Sequence, residues 1–411
     1  MQIFLPTIGS AGDVFPLIGL GQTLQRRGHE VMLGVNPLFE EVTRAVGLGY
    51  VPLGTRAEAE AVLQDSNLWS ARRGFETVAR KALIPALRPL LEAIRRFDPA
   101  EVVIGASPLA FAARVAQERW GYRVATVLLQ PALLRSVHDT PINGVALPGW
   151  WPATFKRLFY RFTDRAVVDP LIAPPLNRLR GDLELPPIER PLDGWLFSPA
   201  CVLGLFPEWY APRQPDWPDQ LALTGFMLHE TGLDEPLPPA LDAFLAAGEP
   251  PLLFTAGSAM QHGDDFFREA VAASRRLGRR AVLVTRDGAQ VPRSLPETIL
   301  YLPYVSFGRL LPHVSLIVHH GGIGTVARAL AAAVPQLIMP LSHDQPDNAR
   351  RVARLGVGRS IAPRRFRAAR VAAQIDGLLD DPTVAARCAE IARRVDAESA
   401  REESARLLES L

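Results

Sequence analysis

A chain of 411 residues exceeds what one hydrophobic core usually serves, so two domains are expected, and a 48% hydrophobic content can fill both. Lysine plus arginine number 45 against 43 acidic residues, a balance that gives no electrostatic reason to expect a nucleic-acid partner. Cys201 and Cys388 lie too far apart for metal or redox spacing and read as packing residues of a reducing cytoplasm.

The start, MQIFLPTIGS, lacks the basic flank and sustained apolar run of a secretory signal and enters a strand directly. Strand-like runs QIFLPTI, EVMLGVN, EVVIGAS and VATVLLQ alternate with helical patterns in the first half, as do PLLFTAGS, AVLVTR, LIVHH and QLIMP in the second. Continuous apolar strands separated by helices predict parallel sheets covered on both faces. Between the halves, residues 224–251 are rich in proline and acid. The chain therefore reads as α/β: a first domain over 1–228, a linker over 229–245, a second domain over 246–395, and a terminal helix over 396–411 placed to pack back on the first domain. Ligands of open α/β sheets sit at the carboxyl ends of the strands, so two doubly wound domains facing one another make a cleft with two binding faces. No apolar run reaches the roughly 18 to 20 residues of a membrane span, and a cytoplasmic protein is expected.

In chain order, the first informative stretch is IGSAGDVFP, a strand end, a tight turn over Gly9 to Gly12, and a helix opening between Asp13 and Pro16 with the proline in its first turn. It has no G-x-G-x-x-G spacing, the second strand ends without a ribose-holding acid, and no G-K-[ST] follows, so neither a dinucleotide fingerprint nor a phosphate loop is present. Asp13 then has two compatible readings. It caps the helix, whose dipole stabilises its charge, or it takes a proton from an incoming hydroxyl.

Further on, GWWPATFKRLFYRF sets Trp150, Trp151, Phe155, Leu158, Phe159 and Phe162 beside Lys156, Arg157 and Arg161 on one amphipathic helix. Aromatic stripes at helical spacing usually pack, so buried core is the expected role. The alternatives are a wall facing a lipophilic ligand and a passing contact with a membrane surface.

The stretch from Leu316 to Gly356 carries the most chemistry. A strand ends in His319-His320, the loop Gly321-Gly322-Ile323-Gly324 exposes backbone amides, and Thr325 opens a helix. Helix dipole, unpaired amides, a hydroxyl and an imidazole together suit a diphosphate. After the next strand, Asp344 and Gln345 place a carboxylate and an amide side by side, which suits the vicinal hydroxyls of a sugar.

The HHGGxGT loop followed by P-x-x-x-DQ-x-x-NA resembles the nucleotide-sugar glycosyltransferases of the two-domain GT-B fold, which include plant, antibiotic and sterol enzymes. The resemblance spans essentially the whole chain. A narrower likeness, to the rhamnosyltransferases of rhamnolipid synthesis, rests on IGSAGDVFP, LFPEWYAPRQPDWPDQLALTGF and YVSFGRLLP.

That resemblance implies two Rossmann-like, doubly wound domains facing a cleft. It implies diphosphate contact by His320, a cradle completed by Gly322, Gly324 and Thr325, and a donor sugar held by Asp344 and Gln345. It brings Gly257 and Ser258 near the nucleotide, with Tyr304 stacking on the base and Val305 offering its backbone to the base edge. Many UDP-sugar users carry a ribose-gripping glutamate where this chain has Arg328, which makes a dTDP-sugar as credible as a UDP-sugar. In the antibiotic and sterol branches the aspartate of the first turn is the proposed base, here Asp13, while Ser10, Phe15, Trp150, Phe155 and Phe159 are the candidate acceptor contacts.

The implied reaction is inverting transfer of a hexose, glucose or rhamnose, from UDP or dTDP to a hydroxyl of a hydrophobic small molecule or lipid. No D-x-D motif occurs, so neither a metal nor another cofactor is expected. Nucleic acid is excluded as a partner, membrane contact is peripheral at most, and a monomer or a dimer is expected. A catalytically inactive nucleotide-sugar binder and a metal-independent sugar epimerase of the same architecture are the alternatives.

Overall fold

The computed structural model of this chain describes residues 1–70, 73–230, 236–257, 260 and 263–411. Ser258 and linker residues 231–235 fall outside that set. The chain divides into two compact units, Met1–His229 together with Ala397–Leu411, and Glu230–Asp396.

The first unit is built on seven strands: β1 Gln2–Pro6, β2 Glu30–Val35, β3 Gly49–Pro52, β4 Val102–Ala106, β5 Arg123–Leu128, β6 Cys201–Gly204 and β7 Leu221–Leu223. They pair in parallel in the order β3-β2-β1-β4-β5-β6-β7. Alternate side chains enter opposite cores. Phe4, Val102, Ile104 and Val124 join one apolar cluster, and Ile3, Leu5, Val103, Ala125 and Val127 join the other. Both faces are therefore dry, which is why these runs show no polar alternation. The strand order reverses between β1 and β4, so their carboxyl ends form the switch point at which open α/β sheets bind ligands.

The first helix, Ala11–Arg26, starts earlier than its sequence suggests, with Ser10 as N-cap. Pro16 consequently lies inside the helix instead of in its first turn, where it has no N–H to give the Gly12 carbonyl four residues back. The terminal helix, Ala397–Glu409, lies on this unit, and its Ala405 and Leu408 are fully buried with Leu5, Leu17 and Ile18. Arg27 forks onto Glu409 through two 2.7 Å hydrogen bonds and reaches Glu402 at 2.8 Å.

The aromatic helix Ala153–Thr163 corrects the expectation of buried core. Trp150, Phe155, Leu158 and Phe162 are exposed, whereas Lys156 is buried. None of the helices in the described residues is long and apolar enough to cross a membrane. Cys201 and Cys388 are free buried thiols, each pushed up to about 11 by burial, as packing residues would be.

The second unit holds β8 Leu252–Thr255, β9 Ala281–Val284, β10 Ile299–Leu302, β11 Leu316–His319, β12 Gln336–Ile338 and β13 Gly358–Ser360. These too are parallel, in the order β10-β9-β8-β11-β12-β13, with the reversal between β8 and β11. Within the stretch read as linker, Pro239–Ala246 is a helix whose Leu241 is fully buried in this unit's core beside Leu253 and Ile317.

Candidate functional site

In the second unit the switch point brings two distant loops together. β8 and β11 are neighbours with Thr255 opposite His319, so the turn at Gly257 and the turn at His320 emerge side by side. The His320 ring fills a slot between two glycines. A Cβ on Gly257 would stand 2.6 Å from its Cε1, and one on Gly322 would stand 2.6 Å from its Nε2. Gly257 also adopts φ +96°, in the region that favours glycine. Burial pushes the His320 imidazole down to about 4, so the ring is neutral at physiological pH, and its buried Nδ1 has no hydrogen-bond partner among the described residues. A neutral ring can donate one N–H to an anion, and the anion's charge would raise its affinity for a proton.

His319 has a different task, one the sequence reading left unassigned. It is fully buried, and its Nδ1 accepts from the Gly321 amide at 3.1 Å, which fixes the tautomer and makes Nε2 the donor to Gln336 Oε1, also at 3.1 Å. Burial and the adjacent His320 hold it down to about 3. His319 is thus a neutral strut that shapes the glycine loop.

That loop leads into the helix Ile323–Ala331, whose N-cap is Gly322 and carries no capping side chain. The amides of Thr325 and Val326 turn back to the Gly322 carbonyl, at 3.1 and 3.0 Å. Thr325 is partly exposed in the first turn.

Asp344 lies at the same helix end. Burial raises its carboxyl to about 6, against hydrogen bonds from Asn348 and from backbone amides that include Ile323. Asn348, part of the DQ-x-x-NA motif but unassigned in the sequence reading, donates from Nδ2 to Asp344 Oδ2 at 2.6 Å and to the Gly321 carbonyl at 2.9 Å. One amide therefore ties the acid to the glycine loop. The preceding His343 adopts φ +57°, a strained value for a side-chain-bearing residue, and it swings the chain so that Asp344 begins the helix Gln345–Arg354. Gln345 is buried, and its Oε1 accepts from the Leu341 and Ser342 amides at 2.8 and 3.3 Å. Its carbonyl is spent on the loop, which leaves the NH2 as the group suited to donate.

Tyr304 is half exposed and Val305 is buried, just before the short helix Phe307–Leu310. Glu230 holds that helix from far away in sequence. Its Oε1 accepts from the Phe307 amide at 2.7 Å and its Oε2 from the Gly308 amide at 2.8 Å, while Arg328 Nε approaches Oε2 at 3.4 Å. Arg328, where the resemblance implies a carboxylate in many UDP-sugar users, is thus paired with a carboxylate from elsewhere in the chain. No local pattern signals Glu230.

In the first unit, Asp13 performs the capping role. Its Oδ2 accepts from the Ser10 amide at 2.8 Å and from the Ser10 hydroxyl at 3.3 Å. The carboxylate folds over Gly9, where a Cβ would overlap it. Asp13 is nonetheless partly exposed, at the β1 side of the switch point. Phe15 is partly buried with its ring 6.5 Å from that of His229. Trp150 and Phe155 stand on the surface, and Phe159 packs edge-on against Trp151 at 6.5 Å.

Residues 3–138 match the glycosyltransferase family 28 N-terminal domain, and residues 279–411 match the erythromycin biosynthesis protein CIII-like C-terminal domain. The chain is 31% identical over 436 residues to O-mycaminosyltylonolide 6-deoxyallosyltransferase of Streptomyces fradiae, covering 100% of this chain and 97% of that protein. Among solved structures, the glycosyltransferase of kitacinnamycin is similar over 100% of this chain and 98% of its own, with TM-score 0.77 and 23% identity. The spinosyn rhamnosyltransferase SpnG complexed with thymidine diphosphate is similar over 100% of both chains, with TM-score 0.68 and 20% identity.

Proposed function

The chain belongs to the GT-B glycosyltransferases of the antibiotic and natural-product type, and from that premise we propose that it is an inverting hexosyltransferase. It moves a deoxyhexose or hexose from a nucleoside diphosphate to a hydroxyl of a lipophilic small molecule. The observation that carries this reading is the His320 slot: a neutral imidazole whose Nδ1 has no partner among the described residues, wedged between two glycines at a helix N-terminus whose N-cap is a glycine.

In this reading Asp13 takes the proton of the acceptor hydroxyl as its oxygen attacks the anomeric carbon. The bond from that carbon to the diphosphate breaks, and the electron pair leaves with the phosphate oxygen. The amides that open the helix Ile323–Ala331, with His320 and Thr325, stabilise the charge that develops there, an electrostatic task that needs no metal ion. Asp344 accepts from sugar hydroxyls and the Gln345 NH2 donates to them.

A dTDP-linked deoxysugar is the donor we favour. Arg328, paired with Glu230, replaces the carboxylate that would reward a ribose 2′-hydroxyl. The relatives named for deoxyallose and rhamnose transfer, and the complex with thymidine diphosphate, support the same choice. A competition assay with UDP, dTDP and their glucose and rhamnose conjugates, over a mixed acceptor panel, tests the proposal. We expect transfer from a dTDP-sugar with inverted anomeric configuration, at a rate unchanged by a chelator. Isomerised free sugar without transfer, or tight donor binding with no turnover, would refute it.

Asp344 supplies a pH signature. Its raised carboxyl gains its proton as pH falls through about 6, and a protonated carboxyl is a poorer acceptor for sugar hydroxyls. Affinity for an intact nucleotide sugar, whose diester phosphates do not titrate there, is expected to fall several-fold from about pH 7.5 to about pH 5. Asp344→Asn should weaken binding at the higher pH and flatten the profile. Calorimetric titration of both proteins across that range is the measurement, and an unchanged slope in the variant would remove Asp344 from sugar recognition.

A further inference from the structure

The helix Ala153–Thr163 is amphipathic in the inverted sense. Its polar side faces the protein: Lys156 Nζ donates to the carbonyls of Val137 and Gly149 at 2.9 and 3.3 Å, and Tyr160 OH donates to the Ser136 carbonyl at 3.1 Å. Just beyond the helix, the fully buried Asp164 pairs with Arg135 at 2.7 Å. The apolar side faces out. Phe155, Leu158 and Phe162 recur at helical spacing and are 60%, 58% and 69% exposed, with Trp150 at 82% just before them. Of the eight exposed large hydrophobic residues among the described residues, six fall in this one segment: Val145, Trp150, Phe155, Leu158, Phe162 and Val167. Single exposed apolar residues need no explanation, but a contiguous stripe does.

The charge beside the stripe is one-sided. Arg157, Arg161 and Arg165 are exposed, and the sole acidic residue from Asn143 to Val168 is the buried Asp164. The chain as a whole is nearly balanced, with a formal net charge of +2. Aromatic and leucine side chains on one arc with arginines at its edge suit the boundary between acyl chains and anionic headgroups. A second copy seated by two-fold symmetry would bring the same arginines against one another. A small-molecule site would need a concave, enclosing wall.

We propose that this face docks the protein on anionic phospholipid bilayers. The apolar arc lies in the interface plane and Arg157, Arg161 and Arg165 contact the headgroups. The inference stands on the first unit alone and does not depend on the identity of donor or acceptor.

Co-sedimentation of the full chain with vesicles tests it. The protein is expected to partition to phosphatidylcholine vesicles containing about a third phosphatidylglycerol at least tenfold more strongly than to pure phosphatidylcholine, and to be released by high salt. Arg157→Glu with Arg161→Glu should lower the partition more than tenfold, since each arginine near such a surface is worth about fivefold. Leu158→Ser with Phe162→Ser should abolish it while leaving thermal unfolding and nucleotide binding unchanged, since both side chains point to water in the free protein. Three results would overturn the proposal. Wild-type protein could stay in the supernatant with the anionic vesicles at low salt, or binding could survive both pairs of substitutions. Alternatively, sedimentation velocity could show a wild-type dimer that the Leu158 and Phe162 substitutions dissociate, which would assign the face to a second copy.

Discussion

Replacing Asp13 by asparagine is expected to lower kcat by about 10²- to 10⁴-fold while donor affinity stays within about twofold of wild type. The choice of asparagine matters, because Asp13 already has a structural task. Its Oδ2 accepts from the amide and hydroxyl of Ser10 at the opening of the first helix. An asparagine oxygen can accept both bonds, so the cap survives and only basicity is lost. Alanine would remove cap and base together, and the cap alone is worth about 1 kcal/mol. Steady-state kinetics, calorimetric donor titration and thermal unfolding on the two variants separate the roles. If the asparagine variant turned over at near the wild-type rate, Asp13 would be a cap and no more.

The second large effect is expected from a single methyl group. Gly257→Ala should weaken nucleotide-sugar binding by at least about tenfold, as strongly as His320→Ala. The added Cβ would stand 2.6 Å from His320 Cε1 at a residue whose φ is +96°, so both backbone and ring oppose it. The ring cannot retreat, because Gly322 closes the other side of the slot at a similar distance. The two substitutions should not add: in a His320→Ala background, where the ring is gone, Gly257→Ala should cost little further affinity. Full additivity would mean that Gly257 acts through its own backbone and not through the imidazole.

Much of this architecture was legible in the residues because parallel strands buried on both faces are written as unbroken apolar runs. All eight runs that the sequence shows as strands are strands, β1, β2, β4 and β5 in one sheet and β8, β9, β11 and β12 in the other. The ones missed are short and mostly marginal. β3, β7, β10 and β13 lie at the sheet edges, where one side of the strand has no partner and burial is partial, so no continuous apolar run is required. β6 lies between β5 and β7 and is fully buried, so its apolar run at Cys201–Gly204 is no weaker a signal than those of β8, β9 and β11, which have the same length.

The glycine loop and the acid-amide pair were legible for a similar reason: their chemistry is carried by residues close together in the chain. Partners supplied across the fold were not. Glu230 reaches Phe307, Gly308 and Arg328 over a separation that no spacing rule spans. His319 and His320 are adjacent and chemically identical in sequence, yet one is consumed by Gly321 and Gln336 while the other keeps a buried nitrogen without a partner among the described residues. The aromatic helix misled because periodicity tells which residues share a side, not which side meets the protein.

The return of Ala397–Leu411 to the first unit has a consequence for synthesis. Leu17 and Ile18 are translated well before Ala405 and Leu408 of their own cluster, and the whole second unit is made in between. The nascent first unit must therefore wait with an apolar seam open while the second is made and folded. Of these two units the one begun earlier is completed later, and a ribosome stalled short of residue 397 would leave a chain whose first unit has a greasy gap for chaperones to cover.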